Sequence, residues 1–245
     1  MIELLVVITI LFILISLTLP ALNAVRSSAK RLVCAANLRT VVSEFSAFAD
    51  GTHPQGKGHS EALGQERFQI NDFQDLLYRI DEFWDRGDAK TGLLSSEKDP
   101  VLCPSGTAKL SRRMGFPCGR EAISPVGDVS IALNMRLYRP VVNFRGKNVM
   151  AATAAAHVSS RILDYPHVPL ALDVDGSTMT TRGVDPFYIA PPVEGADDAY
   201  ASGRFWVQST RHGHSVNVGF VGGHVLSSQN PAEERWNWSY QAETR

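Results

Sequence analysis

Residues 4–22, LLVVITILFILISLTLPAL, carry no charge, and only Thr9, Ser16 and Thr18 among them are polar. As a helix this stretch spans about 28 Å at roughly 1.5 Å per residue, close to the hydrocarbon thickness of a bilayer. A chain that opens this way cannot hide the segment inside a core of ordinary size, so lipid or other chains must cover it. Glu3 stands at its mouth, and Arg26, Lys30 and Arg31 follow it. A cleaved signal peptide does not fit, because no Lys or Arg precedes the apolar run and the pattern does not stop after it. Leu22, Val25, Ala29, Leu32 and Ala36, then Leu38, Val41, Phe45 and Phe48, recur at steps mostly of three and four. Gly51 after Asp50 reads as a helix stop. The spacing predicts one helix over residues 1–50, transmembrane at about 4–22, apolar all round in its first half and on one face in its second.

Residues 51–245 mix apolar and charged groups in globular proportions and are numerous enough to bury a core. The net charge of −1 gives no electrostatic reason to expect nucleic acid as a partner. Within 67–86, Phe73, Leu76, Leu77, Ile80, Phe83 and Trp84 fall on one face of a short core-packing helix. Strand-like runs follow at Pro140–Arg145, Val168–Asp173, Phe187–Ala190 and Arg204–Gln208. At 216–228, VNVGFVGGHVLSS reads as a β-hairpin, with Gly222 and Gly223 supplying a turn in which φ > 0 is open to both.

The chemistry legible in the head is sparse. A nucleophile elbow, a P-loop, a dinucleotide fingerprint and an HExxH motif are all missing from the sequence, so no enzymatic activity is expected. His212 and His214 would share a strand face and, with His224, could hold a metal; without a local Asp, Glu or Cys, a hydrogen-bonding role is the stronger expectation and no metal site is assigned. Asp173, Asp175, Asp185, Glu194, Asp197 and Asp198 read as a solvated acidic loop, because DVDGST lacks EF-hand spacing. Cys103 and Cys118 enclose a short loop containing Gly115 and Pro117 that a disulfide could close.

IELLVVITILFILISLTLPAL resembles the N-terminal methylation segment of type IV prepilins and type II secretion pseudopilins, G-F-T-L-I-E-L-L-V-V-I followed by an apolar helix. Glu3 falls on that family's glutamate and Pro20 where its helix-kinking proline often lies. RHGHSVNVGFVGGHV resembles the C-terminal signature of prepilin-type processing-associated proteins, H-x9-DG, with Arg211, His212, Asn217, Phe220, Gly223 and His224 matching and Gly222 in place of the aspartate. LCPSG and CAANLRT are similar to two further segments of those proteins, which makes Cys34–Cys103 the rival disulfide, tying the helix to the head.

The resemblance implies an α+β, pilin-like fold: a long N-terminal helix, its first half transmembrane, packed on an antiparallel sheet. It also implies a single-pass inner-membrane protein with a periplasmic or other extracytoplasmic head. Its partners would be other pilin-like subunits, met through the N-terminal helix, and the secretion or pilus assembly machinery. Calcium is the one cofactor the resemblance admits, since some pseudopilins bind it in an acidic loop. Met1 aligns inside the motif, so a basic leader encoded upstream is expected. For Glu3 two roles stay open: pairing with the N-terminal amine of an adjacent subunit, or snorkelling to the headgroups. The alternative function is a membrane-anchored binding module for an envelope or glycan ligand, exposing the hairpin with Trp206, Trp236 and Trp238.

Overall fold

The computed structural model describes residues 2–52, 67–78, 93–95, 100–106, 109–112, 123–124, 129–139, 141–144, 146–150, 157–193, 203–209 and 211–240. Helix α1 runs unbroken over Ile2–Asp50 with Pro20 inside it. Its end is built as the sequence predicts. Gly51 takes φ +77°, its N–H reaches the Phe48 carbonyl at 3.1 Å, and the Thr52 N–H reaches that of Ala47 at 2.9 Å. This is a Schellman cap, which needs a residue at ease in the left-handed region.

Among the described residues twelve strands accompany it. Five form the central sheet, in the order β10 (Tyr188–Ile189), β5 (Ile131–Asn134), β9 (Pro169–Asp173), β11 (Val216–Phe220) and β12 (Val225–Ser228). The others make three small ribbons: β1 (Arg67–Gln69) with β8 (His157–Ser159); β2 (Leu93–Ser95), β3 (Lys109–Arg112) and β4 (Ile123–Ser124) together; and β6 (Val141–Phe144) with β7 (Lys147–Met150). The central sheet is antiparallel except at one edge, where β10 runs parallel to β5. The connection out of β9 passes through the short helix Gly176–Thr181 and steps over β5, so the chain re-enters in β5's direction.

A long helix on a separate sheet-based head is an α+β arrangement. The two meet along one stripe. Cys34, Leu38, Val41, Val42, Phe45, Phe48 and Ala49 are buried at helical spacing, and α1 lies across β11 and β9. Strand alternation turns Asn217 and Gly219 of β11, with Ala171 and Asp173 of β9, towards the helix. Gly219 is obligatory there: a Cβ would stand 2.8 Å from Val42 Cγ2. Beyond Phe45 and Phe48, the rings of Phe68 (β1) and Phe73 close the core, all four within edge-to-face or tilted contact. Phe73 belongs to helix α2 (Ile70–Leu77).

The cover is shorter than the apolar pattern suggested. Leu22, Val25, Ala29, Leu32 and Ala36 belong to the expected stripe yet are exposed, Leu32 at 68%. The head reaches only as far as Cys34. Every described residue from Ile2 to Ala29 is uncovered, and this helix is long and apolar enough to cross a membrane, a candidate anchor. Its few hydroxyls would be tolerable in hydrocarbon. Thr9 donates to the Leu5 carbonyl at 2.7 Å, Ser16 to Ile13 at 2.8 Å and Thr18 to Ile15 at 3.0 Å.

Two other expectations shift. The segment starting at Arg67 opens as a strand and turns helical only at Ile70; Leu77 and Phe73 are buried and Leu76 is partly so, while Ile80, Phe83 and Trp84 lie outside the described residues. Arg204–Gln208 is a turn followed by extended chain, and only Gln208 joins the sheet, through a bridge to Val174.

Candidate functional site

Where α1 crosses the end of β9, four side chains from distant segments converge. Cys34 comes from the helix, Cys103 from the turn closed by the Gly106 N–H on the Cys103 carbonyl (2.9 Å), Asp173 from the last position of β9, and His212 from the turn before β11. Cys34 Sγ is 3.0 Å from Asp173 Oδ1. Cys103 Sγ is 3.3 Å from His212 Nε2, and that nitrogen is 3.6 Å from Asp173 Oδ2. The donor atoms of Cys34, Cys103 and His212 all lie within 4.8 Å of one another. All four residues are buried, and both cysteines are free thiols.

The surrounding residues hold this geometry. Asn37, one turn beyond Cys34, donates to the Leu102 carbonyl at 3.0 Å and so fixes the Cys103 turn against the helix. The Asp173 carboxylate also accepts the Asn217 N–H at 3.2 Å. Arg211 spreads its guanidinium over Ser209 Oγ (2.8 Å), Ser130 Oγ (3.0 Å) and the Val174 carbonyl. Gly106 lies against its tip, where a Cβ would collide. His212 is aimed by a tight turn in which Gly213 and His214 both take the left-handed region, at φ +67° and +65°. Ser215 closes the turn by donating its hydroxyl to the His212 carbonyl at 2.8 Å.

Charge in this enclosure is strongly redistributed. Burial lifts the Asp173 carboxyl to about 6, against the thiol hydrogen bond from Cys34. The Cys34 thiol is pushed up, first by its hydrogen bond to Cys103 and then by burial. Cys103 moves down, chiefly through that same bond, despite burial and with help from His212. His212 moves up because Cys103 accepts from it, against burial. Cys34 has one proton and two acceptors in reach, so the four groups act as one unit.

Sequence reasoning picked out Arg211 and His212 and paired Cys34 with Cys103 as the rival disulfide; the fold does bring those two sulfurs together, but they are unbonded. It missed that His212 and Asp173 join them. The Cys-x-x-Asn segment was the available signal, since both its polar residues work at the site. His212, His214 and His224 do not form one: His214 is exposed on the turn, and His224 sits at the other end of β11, stacked on Phe220 at 4.5 Å and beside His167. Asn217 accepts a hydrogen bond from Ser227 Oγ at 2.5 Å across the hairpin. The acidic set is not a solvated loop where it is described. Asp173 is buried, Asp175 caps the helix Gly176–Thr181 through the Thr178 N–H (3.1 Å), and Asp185 accepts the Phe187 N–H at 3.1 Å. Glu194, Asp197 and Asp198 lie outside the described residues, as does Cys118 and with it the Cys103–Cys118 pairing. The tryptophans pack on each other and on the core. Trp238 is buried, Trp206 and Trp236 are partly so, and Trp236 meets Phe220 edge-on at 4.9 Å.

The hairpin exists, but its two glycines do different work. Only Gly223 takes positive φ, +86°. Gly222 is required by space, since a Cβ there would be 2.5 Å from Pro166 Cβ and 2.9 Å from that residue's backbone oxygen. Gly222→Asp, which would supply the aspartate of the H-x9-DG pattern, is therefore expected to destabilise the head by about 1–3 kcal/mol, as overpacking does. Chemical denaturation of the variant checks this, and an unchanged midpoint would show that the Pro166 loop yields freely.

No family model matches this chain, and neither the curated proteins nor the solved structures contain a significant match.

Proposed function

We propose that this chain is a pilin-like structural subunit. It is anchored by α1 with its head in the extracytoplasmic space, and it assembles through that helix into a filament of a type II secretion or type IV pilus-like system. The observation that carries the reading is the division of α1. From Cys34 the helix is bound into the head, and over residues 4–22 it stands free as an uncovered rod that is apolar save for three hydroxyls. Exposed apolar surface on this scale calls for lipid, neighbouring helices or both. A continuous helix also couples whatever happens in the membrane directly to the head, which a flexible tether would not. The work is mechanical rather than catalytic.

Glu3 is the register device in this reading. An unpaired carboxylate near a bilayer core costs a few kcal/mol. The nearest basic side chain on the helix, Arg26, is about 35 Å away at roughly 1.5 Å per residue, so in this reading another subunit supplies the partner. Glu3→Gln keeps size and loses charge. The variant should insert and fold normally but recover several-fold less wild-type subunit when a tagged copy is purified from membranes. Equal recovery would reduce Glu3 to an interfacial carboxylate and leave a tethered binding module as the better reading.

A further inference from the structure

The convergence of Cys34, Cys103, Asp173 and His212 exceeds what packing requires. A buried carboxylate and a buried imidazole are costly to desolvate, and beyond their own 3.6 Å contact the partners they meet here are two thiols and the Asn217 N–H. The donor set is two sulfurs, one imidazole nitrogen and one carboxylate oxygen, which suits a borderline-soft divalent ion. In a tetrahedral zinc site with bonds of about 2.0–2.3 Å, neighbouring donors are separated by about 3.3–3.8 Å. Cys103 Sγ and His212 Nε2, 3.3 Å apart, stand at such an edge, and the Cys34, Cys103 and His212 donors all lie within 4.8 Å of one another. The Asp173 carboxylate borders them with separate oxygens, Oδ1 at 3.0 Å from Cys34 Sγ and Oδ2 at 3.6 Å from His212 Nε2. Side-chain torsions that draw the three donors together and turn one Asp173 oxygen towards them would seat an ion.

The surrounding charge points the same way. Two thiolates and a carboxylate around a divalent ion leave one net negative charge. Arg211 faces the cluster with a guanidinium whose hydrogen bonds go to two hydroxyls and a carbonyl, all neutral. It would balance that charge from just outside the ligand shell. We propose that Cys34, Cys103, His212 and Asp173 form a closed structural site for one thiophilic divalent transition ion of the zinc class, fastening the long helix to the head. Binding releases the thiol protons to solvent and needs no oxidant. The ligands come from four segments, one of them α1, so the ion clamps the helix at the point where the head's cover begins. This inference stands on the cluster alone and survives if the filament reading fails.

The test uses the full-length chain, extracted from membranes in detergent without chelator. Elemental analysis should find about one zinc per chain, as for a closed four-ligand site. Cys34 and Cys103 should alkylate under denaturing conditions only after a chelator is added. Metal-free, reduced protein titrated with Co(II) should develop thiolate-to-cobalt charge-transfer absorption that Zn(II) displaces. Cys103→Ser and His212→Gln should each weaken cobalt binding at least tenfold, while His214→Gln leaves it unchanged. A Cys34–Cys103 disulfide in peptide maps of the membrane-extracted protein would overturn the proposal. So would two freely alkylating thiols with no stoichiometric metal, a result that needs no variant to fold. Cobalt absorption that persists in the Cys34→Ser, Cys103→Ser double variant would overturn it as well.

Discussion

Phe45→Ala should destabilise the head by about 3–5 kcal/mol, the range for deleting a buried aromatic ring. Phe45 is fully buried and meets Phe73 edge-on at 5.1 Å and Phe68 at 5.8 Å. Those rings come from α1, α2 and β1, so the substitution opens a cavity at the junction of three elements and loses two aromatic pairs of about 0.5–1.5 kcal/mol each. A loss of this size is a large share of a typical domain's 5–15 kcal/mol. Denaturant unfolding in detergent, followed through the packed tryptophans, would read it. Phe12→Ala is the matched control, because Phe12 is 69% exposed on the free part of the helix. It should leave the head's unfolding midpoint where it was. Equal sensitivity at the two positions would mean that the head is docked elsewhere along α1.

Removing residues 1–30 should leave a water-soluble protein that keeps its fold. Cys34 is the first fully buried side chain of α1, and Arg31, Leu32 and Val33 are exposed. The truncation therefore deletes apolar surface without deleting core. The new helix end frays by a turn at most, and a change confined to exposed positions costs within about 0.5 kcal/mol at each. Comparable thermal unfolding of the truncated chain in buffer and the full chain in detergent is the expected result. A truncated chain that aggregates or loses its near-ultraviolet dichroism would show that the free rod supports the head.

The parts of this fold that could be read from the sequence share one property: their signals are local. The apolar run, the Asp50–Gly51 stop and the alternation of Val216 to Phe220 around paired glycines are each confined to one short stretch. Strand β5 escaped because all four of its residues are buried, so Ile131–Asn134 shows no alternation and runs straight into a helical turn at Met135. The stripe on α1 was overextended because helical periodicity marks an apolar face without saying where its cover ends. Gly222 was assigned to a turn when its real constraint is Pro166, a neighbour far along the chain. The cluster was the least legible feature. Its contacts join residues 139 and 109 positions apart, and only the fold brings Asp173 beneath Cys34.

In the proposed filament, the free half of α1 packs against the same segment of neighbouring subunits. Single cysteines placed in turn at positions 4 to 19 of the full-length chain would test it by oxidative crosslinking in native membranes. The filament account predicts crosslinked dimers and higher ladders that peak every three to four positions and weaken when Glu3→Gln is introduced. Crosslinking that is absent, or weak and uniform at every position, would contradict it and leave α1 as a simple anchor.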